Sequence, residues 1–362
     1  MKHFEDTHKG HFAGSALTVN SGVDQPPVVN PHFVRKVKQS LTAAQAVEGI
    51  LAHDITILSR AITLVESSLP EHQIIAQEII TQCMSHATHS VRIGITGVPG
   101  AGKSTFIEAI GEMVVSGGRR LAVLAIDPSS ERSKGSILGD KTRMEQLSHH
   151  PDVFIRPSPS AGSLGGVARK TRETMILCEA AGFDTIFIET VGVGQSETVV
   201  HSMVDLFMML QISGAGDELQ GIKRGIMEMA DMVVITKADG SNIDRAAMTK
   251  VQIEGALQLF PLPDSGMRPK VYLTSATENT GLEELWSAVK DFILKTQNFE
   301  ENRAQQATYW MYETIEEALR NNFYRNPHIE SVIKDYEKAV LDQRTSPFLA
   351  AKALLDIYEQ KA

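Results

Sequence analysis

The stretch GITGVPGAGKST, residues 94–105, contains the residue types that bind phosphate groups. Gly97, Gly102, Lys103 and Ser104 fit the pattern G-x-x-x-x-G-K-[ST] of a phosphate-binding loop. Such glycines let backbone N–H groups turn toward phosphate oxygens, and the N-terminus of the following helix adds the positive end of its dipole. The residues predicted to contact a nucleotide here are Gly97, Val98, Pro99, Gly100, Ala101, Gly102, Lys103, Ser104 and Thr105.

The lysine and the serine of this stretch have distinct predicted roles. Lys103 is expected to reach the β- and γ-phosphates, and the Ser104 hydroxyl is expected to bind Mg²⁺. The alternative is a glycine-rich turn between a strand and a helix that binds no ligand. An apolar run, residues 93–96, precedes the glycines, and Phe106 and Ile110 follow them at helical spacing. This is the strand–loop–helix context that a phosphate loop requires, so it favours the nucleotide site.

Three carboxylates stand where a nucleotide-bound Mg²⁺ needs oxygen ligands. Asp127 ends the apolar run LAVLAID, Glu189 lies near the end of DTIFIET, and Asp140 lies in the glycine-containing stretch SILGDKTRM. Either aspartate alone could instead cap a helix. Glu189 is harder to explain structurally, because an unpaired carboxylate at the end of an apolar strand is costly to bury. Gly192 and Gly194 follow it and predict a loop that moves when the γ-phosphate leaves.

The stretch VVITKADGSN, residues 233–242, is predicted to read the base. Asp239 can accept hydrogen bonds from N1–H and the 2-amino group of guanine, whereas adenine offers neither donor there. Lys237 can lay its stem along the ring. Thr236 replaces the Asn of the usual Asn-Lys-x-Asp tetrad, as it does in signal-recognition-particle GTPases. Ser275 and Ala276 end the next predicted strand, where G proteins place a Ser-Ala pair beside the guanine oxygen, so GTP is favoured over ATP.

Apolar runs separated by amphipathic segments must position these residues. The seven predicted strands are VRIGIT, LAVLAID, VFIRP, DTIFIET, DLFMMLQ, DMVVITK and KVYLTS. Buried, β-branched runs that alternate with helices predict a parallel sheet with helices on both faces. Ligands of such a sheet bind at the carboxyl ends of its strands, which is where the motifs above fall. The predicted fold class is therefore α/β, with a mainly parallel central sheet flanked by helices.

The chain divides by pattern into four predicted segments. Residues 1–31 are polar, contain several Gly and Pro, and are predicted to be a disordered tail. Residues 32–90 have helical periodicity and form an N-terminal helical extension, and residues 91–296 form the nucleotide-binding domain. Residues 297–362 lack strand patterns and are predicted to form a C-terminal helical arm. That arm either packs on its own nucleotide-binding domain or carries a dimer interface.

Two features of the arm define its helices. The stretch RAQQATYWMYETIEEALRNNF has an apolar helical face formed by Met311, Ile315, Ala318, Leu319 and Phe323. In SPFLAAKALLDIYEQ, Ser346 is predicted to cap a helix that begins at Pro347.

The amino-acid composition limits the classes of protein to which this chain can belong. Of the 362 residues 42% are hydrophobic and 22% charged, as in soluble globular proteins, and the net charge of -9 disfavours a nucleic-acid-binding protein. No apolar run approaches the roughly 20 residues that span a bilayer. Glu5 and Asp6 argue against an acid-poor mitochondrial transit peptide, and no secretion signal is evident, so a cytoplasmic location is expected. Cys83 and Cys178 are predicted to be buried thiols in a reducing compartment, not a disulfide or a metal site.

Taken in order, the longer motifs resemble those of the MeaB/ArgK family, the bacterial relatives of the human protein deficient in one form of methylmalonic aciduria. The motifs that carry the resemblance are the phosphate loop, AIDPSS, GDKTRM, IRPSPSAGSLGGVARKTRE, ETVGVGQSE, GAGDELQGIKRGI and TKADG. The resemblance covers residues 40–320. It implies a dimeric phosphate-loop GTPase that chaperones an adenosylcobalamin-dependent acyl-CoA mutase, chiefly methylmalonyl-CoA mutase, by gating delivery of the cofactor and guarding the mutase against inactivation.

The resemblance also implies roles for individual residues. Ser104, Asp127, Asp140 and Glu189 would form the Mg²⁺ and hydrolysis cluster beside Lys103. Residues 127–144 and 191–197 would be switch loops, with Gly192 near the γ-phosphate. Residues 214–225 would form a third, family-specific switch whose signalling residue is Lys223. The C-terminal helices would be the dimerisation arm.

Alternatives to this function stay open from the residues alone. DTHKGH, with Asp6 and His8, is close to the base-off cobalamin motif Asp-x-His-x-x-Gly, but the glycine is one place early. We therefore expect cobalamin on the partner and not on this chain. A nickel metallochaperone GTPase is a second hypothesis, which the His-rich start suggests and the absence of Cys-x-x-Cys or Cys-Pro-His weakens. A kinase acting on a transport protein is a third, but no acceptor pocket or catalytic base is evident outside the switch motifs.

Overall fold

Seven parallel strands form one sheet in the part of the chain that the computed structural model describes, residues 41–87, 89–126, 144–158, 164–190, 196–213, 224–263, 265–296 and 299–359. The strands are β1 (Val91–Gly97), β2 (Leu121–Ile126), β3 (Val153–Ser158), β4 (Thr185–Thr190), β5 (Leu206–Ile212), β6 (Met232–Thr236) and β7 (Lys270–Leu273). Their order across the sheet is β3-β2-β4-β1-β5-β6-β7, and every neighbouring pair is parallel. The seven predicted runs and the predicted fold class are confirmed.

The strands consist of apolar residues because helices cover both faces of the sheet. Every residue of β2 and β4 is buried, and β6 is buried along its whole length. A strand with two buried faces cannot alternate polar and apolar side chains, so polar groups are displaced to its ends. Glu189 and Thr190 at the end of β4, and Thr236 at the end of β6, show that displacement.

The strand order changes direction at β1, in the centre of the sheet. β1 lies between β4 and β5, with Gly94 paired to Ile188 on one side and Phe207 on the other. From β1 the chain crosses to β2 on one side, whereas from β4 it crosses to β5 on the other. The loops that follow β1 and β4 therefore diverge, and the crevice between them is where parallel α/β sheets bind ligands.

Three N-terminal helices lie within the predicted extension. They are α1 (Ala43–Leu51), α2 (Ile55–Glu66) and α3 (Pro70–Met84). Thr42 begins α1 with a reciprocal capping box to Gln45, and the Asp54 carboxylate caps α2. Their buried residues, among them Ile50 and Ile62, belong to the same apolar cluster as side chains of β2 and β4. The extension therefore shares its core with one face of the sheet, and the segment boundaries at 31, 90 and 296 stay predictions.

Seven helices lie in the described residues of the central part and cover the two faces. They are α4 (Lys103–Ser116), α5 (Glu145–Ser148), α6 (Leu164–Ala180), α7 (Ser196–His201), α8 (Arg224–Met229), α9 (Ile243–Leu257) and α10 (Leu282–Lys295). α6 and α7 lie on the face shared with the N-terminal helices, whereas α4 and α10 pack on the opposite face around Phe106 and Trp286. α9 packs against β6 and β7.

The C-terminal arm contains α11 (Phe299–Tyr324), α12 (Pro327–Leu341) and α13 (Pro347–Glu359). The first half of α11 is bound to the segment that joins α7 to β5. Arg303 pairs with Asp205 at 2.7 Å, and the Trp310 indole N–H donates to the Ser202 carbonyl at 3.0 Å. Ser346 accepts a hydrogen bond from the Leu349 N–H at 3.2 Å, so the predicted cap of the last helix is confirmed.

The predicted apolar face of α11 is helical, but most of it is not packed on the sheet. Met311, Ile315 and Leu319 are about half exposed or more, at 51%, 46% and 59%. Phe323 is partly covered by Tyr358 of α13, at a ring-centroid distance of 5.4 Å. The arm thus has one face toward the sheet and a second, apolar face on its surface.

The sequence also made predictions about the two cysteines and about membrane-spanning helices. Cys83 and Cys178 are free and buried, as predicted, and burial raises the pKa of the Cys83 thiol to about 11. Across the described ranges no helix combines the length and the apolar character that crossing a membrane requires.

A buried ion pair joins α6 to the first strand. Two Arg92 N–H groups donate to the two Glu179 carboxylate oxygens at 2.8 and 3.0 Å, and the Ser90 hydroxyl donates to the same carboxylate. The Arg92 and Glu179 side chains are only 10% and 4% exposed. The guanidinium also lies 5.9 Å from the centre of the Trp310 ring, so this pair connects the sheet, α6 and α11.

We predict that Glu179→Gln lowers the free energy of unfolding by about 3 kcal/mol, because it leaves the Arg92 charge buried without a counter-charge. Urea unfolding followed by circular dichroism measures this loss. The matched control is Asp291→Asn, which breaks an exposed pair with Lys295 and should cost no more than about 0.5 kcal/mol. Equal effects of the two substitutions would contradict the prediction.

Candidate nucleotide-binding site

The phosphate loop connects the central strand β1 to α4, and its glycines have stereochemical reasons to be glycine. A Cβ atom on Gly97 would lie 2.6 Å from the Leu210 carbonyl oxygen of β5, so no larger residue fits at the end of β1. Gly100 and Gly102 have φ angles of +81° and +76°, which side chains with a Cβ rarely adopt. Gly102 is the N-cap of α4 and provides no side-chain cap. The first N–H groups of α4 therefore face an open site suited to an anion.

Lys103 folds back over this loop. Its Nζ donates to the Gly97 carbonyl at 2.9 Å and lies 3.5 Å from the Val98 carbonyl. Burial lowers the pKa of Lys103, and the carboxylates of Glu189 and Glu197 oppose that change. The ammonium is therefore partly desolvated, and it can exchange a backbone carbonyl for phosphate oxygens.

The carboxyl end of β4 lies next to this lysine. Glu189 is 9% exposed, and the following Thr190 hydroxyl donates to the Thr96 hydroxyl at 2.9 Å, which ties β4 to β1. Ser104 lies half-buried in the first turn of α4. The structure thus brings Ser104 and Glu189 to one edge of the sheet, and their role as Mg²⁺ ligands stays a prediction. The other predicted ligands, Asp127 and Asp140, and the loop residue Gly192 lie outside the described residues.

The residues predicted to read the base lie at the ends of β6 and β7. The Ser275 and Thr277 hydroxyls both donate to Oδ2 of Asp239, the latter at 3.1 Å, and the Ser275 oxygen accepts the Glu278 N–H at 3.1 Å. This arrangement fixes the plane of the Asp239 carboxylate. Ala276 is half-buried between the two hydroxyl residues, at the position predicted to adjoin the base.

Two contacts join the base side of the site to the phosphate side. The Thr236 hydroxyl lies 2.7 Å from the Ala101 carbonyl of the phosphate loop and 3.0 Å from the Gln211 carbonyl, and it can donate to either. The Lys237 stem passes over Gly102, with Cε at 3.6 Å from the position a Cβ would occupy there. Thr236 therefore does more than replace the usual asparagine: it holds the phosphate loop against the end of β6.

Two residues of the site were not identified from the sequence: Thr277 completes the clamp on Asp239, and Asn242 donates to the Lys237 carbonyl at 2.7 Å. Because Thr277 directly follows the recognised Ser-Ala pair, its hydroxyl was the one feature of the sequence that could have indicated this role. Glu197, the last residue of the predicted switch loop 191–197, is buried in the first turn of α7, and its charge opposes the lowering of the Lys103 pKa. Lys223 and residues 214–222 of the predicted third switch lie outside the described residues, as do residues 127–143 and 191–195 of the other two.

This arrangement defines a phosphate-loop nucleotide-binding protein of the α/β class. A family model described as methylmalonyl-CoA mutase-associated GTPase MeaB matches residues 58–328. That match covers well over half of the chain, and the chain belongs to this family.

Relatives along most of the chain agree with that assignment. A Mycobacterium tuberculosis protein named "Probable GTPase" is 46% identical over 317 residues, which are 87% of this chain and 94% of the relative. GTPase ArgK of Escherichia coli is 41% identical over 321 residues, 88% of this chain and 97% of the relative. The mouse methylmalonic aciduria type A homolog, mitochondrial, is 43% identical over 326 residues, 86% and 79% of the two chains.

A solved structure shares the fold over nearly the whole chain. The crystal structure of a LAO/AO transport system kinase superposes with a TM-score of 0.70 at 35% sequence identity. The superposition covers 90% of this chain and all of that one. The sheet, the phosphate loop and the C-terminal helices therefore belong to one known architecture.

We predict that Asp239→Asn reduces the preference for GTP over xanthosine triphosphate by about tenfold or more, because the new amide can donate to the 2-oxo group of xanthine but not accept both guanine donors. Hydrogen bonds to a charged group contribute about 1.5–3 kcal/mol, which corresponds to a loss of that size. Competition binding of GTP, ATP and xanthosine triphosphate measures the change. An unaltered preference for GTP would place base recognition elsewhere.

Proposed function

We propose that this chain is a GTP-hydrolysing chaperone of an adenosylcobalamin-dependent acyl-CoA mutase of the methylmalonyl-CoA mutase type. One observation carries the nucleotide part of the proposal. Asp239 is held by two hydroxyls in a position suited to read the base, and Lys103 lies on the phosphate loop at the same edge of the sheet. Lys237 and Thr236 connect the two parts of the site. Together they match guanine at one end and a triphosphate at the other.

The chemistry assigned to the site is hydrolysis of GTP to GDP and phosphate. Lys103 would neutralise charge on the β- and γ-phosphates, and the N–H groups at the start of α4 would orient them. The described donors, a serine hydroxyl and a glutamate carboxylate, are the hard oxygen ligands that Mg²⁺ prefers. Ser104 and Glu189, with Asp127 and Asp140, would hold that ion, which supplies charge neutralisation at the phosphates when it is bound.

The partner is proposed from the family. The matching family is named for association with methylmalonyl-CoA mutase, and the mouse relative is named for methylmalonic aciduria. We assign to this chain the gating of cofactor loading and the protection of the mutase, with the cobalamin on the mutase. Among the described residues no group of three or more His, Cys, Asp and Glu side chains could hold a metal ion, and the cobalamin-like DTHKGH lies outside them.

A homodimer is proposed through the C-terminal arm. Its support is the apolar surface of that arm, where large side chains from all three helices are at least 46% exposed. They are Met311, Tyr312, Ile315, Leu319, Leu341, Phe348, Leu349 and Leu355. Large apolar side chains exposed in such number, where they form one patch, typically mark a protein interface. We propose a cytoplasmic location on the sequence argument alone.

We predict that Lys103→Ala abolishes tight binding of GTP and leaves the fold intact, because the lysine acts at the phosphates and not in the core. Calorimetry with GTP and a thermal melt by circular dichroism test both parts. The matched control is Lys250→Ala, which removes a surface lysine paired with Glu254 and should leave GTP affinity unchanged. Near wild-type affinity of the Lys103 variant would overturn the phosphate-loop assignment.

We predict that Lys223→Ala leaves basal GTP hydrolysis within a few-fold of wild type and largely removes its stimulation by the client mutase. The stretch GAGDELQGIKRG carries charges of both signs between glycines, a composition that can exchange ion pairs between two ordered states. Charge neutralisation supplied by a partner is worth about a thousandfold or more in other GTPases, so stimulation is readily measured. Phosphate release from GTP, with and without the mutase, is the assay.

Lys295→Ala, at an exposed pair with Asp291, is the control for loss of one positive charge. Stimulation that survives the Lys223 substitution would move the coupling to residues 191–197. A phosphate that appears on a protein acceptor instead of in solution would replace hydrolysis with kinase chemistry.

A further inference from the structure

Glu197 is a buried carboxylate to which no role in nucleotide binding or hydrolysis was assigned above. It is the second residue of α7, and only 1% of it is exposed. One of its oxygens, Oε2, lies 3.5 Å from the Ser196 hydroxyl. The other, Oε1, is buried and has no hydrogen-bond partner within the described part of the chain. Buried acceptors are almost always paired, so an exception calls for a functional explanation.

The packing of α7 places this carboxylate toward the carboxyl edge of β1, where the phosphate loop begins. α7 joins two parallel strands, β4 and β5, and so runs from their carboxyl ends back toward their amino ends. Val200 of α7 packs directly on β1, since a Cβ built on Gly94 would lie 2.8 Å from its Cγ1 atom. Glu197 precedes Val200 by three residues and therefore lies on the same face of α7, one turn nearer the carboxyl edge.

The two acidic residues near Lys103 approach from opposite faces of the sheet. Side chains alternate along a strand, so Glu189 shares a face with Phe187, which packs in the cluster around α4. Glu197 belongs to α7, which covers the other face together with the Thr96–Thr190 hydroxyl pair. The Lys103 ammonium experiences both carboxylates. Glu189 and Glu197 therefore reach the edge that holds Lys103 from opposite faces of the sheet.

We propose that Glu197 is a positioning residue for GTP hydrolysis, which acts through the Lys103 ammonium and not by contact with the nucleotide. This inference rests on the GTPase function proposed above. The buried charge of Glu197 attracts the ammonium toward the sheet and so limits how far Lys103 can follow the phosphates. Without that charge Lys103 would bind the phosphates of the ground state at least as well, but would be placed less well for charge that develops during hydrolysis.

The test compares Glu197→Gln, which keeps the shape and removes the charge, with Glu197→Asp, which keeps the charge on a shorter side chain. For each variant, single-turnover hydrolysis of GTP, the dissociation constant of GTP and the melting temperature are measured. We expect the glutamine variant to lose about tenfold or more in rate with unweakened GTP binding, the pattern of an interaction needed only in the transition state. The rate should rank Glu, then Asp, then Gln, whereas the melting temperature should rank Glu, then Gln, then Asp.

Other outcomes of this experiment would contradict the inference. If rate and melting temperature rank the variants in the same order, or if the glutamine variant keeps the wild-type rate, Glu197 has a packing role only and the inference is wrong. If the glutamine variant does not fold, the aspartate variant decides: a slower rate with retained GTP affinity supports the inference, and an unchanged rate overturns it. Glu112→Gln, a half-buried glutamate further along α4, is the control for loss of one negative charge.

Failure of the proposed function is distinguishable from failure of this inference. Wild-type protein that binds GTP but releases no phosphate, alone or with the client mutase, would contradict the GTPase function itself. Wild-type protein that hydrolyses GTP while the Glu197 variants match it would contradict only the role of Glu197.

Discussion

A parallel sheet that is buried on both faces confines the polar chemistry of this protein to one edge. No strand interior can hold an unpaired charge without a large cost, so the carboxylates, hydroxyls and lysines that could act on a nucleotide occur where strands end. Glu189, Thr236 and Asp239 each follow or end a fully apolar run. The sheet order then decides which of these ends become neighbours. Because β1 lies between β4 and β5, the phosphate loop adjoins the end of β4 on one side and Leu210 on the other.

Hydrogen bonds between neighbouring strand ends make the edge a single site. The Thr236 hydroxyl reaches the Ala101 carbonyl across the sheet, and the Thr190 and Thr96 hydroxyls join β4 to β1. On the base side, two hydroxyls that donate to one oxygen of Asp239 leave its other oxygen oriented away from them. These are short neutral side chains, which bring strands together without adding charge. Charged groups such as Lys103 are therefore not needed to join the strands and can bind the ligand.

The parts of this structure that could be predicted from sequence are those set by local pattern. The largely apolar runs of five to seven residues from VRIGIT to KVYLTS identify β1 to β7, because burial on both faces demands such runs. The phosphate loop is recognisable because its backbone conformation demands Gly100 and Gly102. Ser346 is recognisable as a cap because the adjacent Pro347 cannot donate a backbone hydrogen bond. Each of these signals is contained in about ten consecutive residues.

The parts that could not be predicted depend on which elements meet in space. Thr277 directly follows the recognised Ser-Ala pair, but that position alone does not show that its hydroxyl reaches Asp239, 38 residues earlier. Glu197 reads as an ordinary acidic residue in the first turn of a helix, where the dipole favours it, until the packing of Val200 on Gly94 shows that the turn is buried. The surface character of Met311, Ile315 and Leu319 was likewise hidden, since a helical apolar face looks the same whether it covers its own sheet or another molecule.

The short helix α7 links the nucleotide edge to the C-terminal arm. Its first turn holds the buried Glu197, whose charge opposes the lowering of the Lys103 pKa, and immediately after its last turn the Ser202 carbonyl accepts the Trp310 indole N–H. Two further bonds, from Gln306 to the Val204 carbonyl and from Arg303 to Asp205, hold α11 to the same connection. A rotation or shift of α7 at the nucleotide edge must therefore either break these three contacts or move α11 with it. Since α11 also bears the exposed apolar surface of the arm, the geometry gives the nucleotide site a direct mechanical connection to the surface most suited to a protein partner.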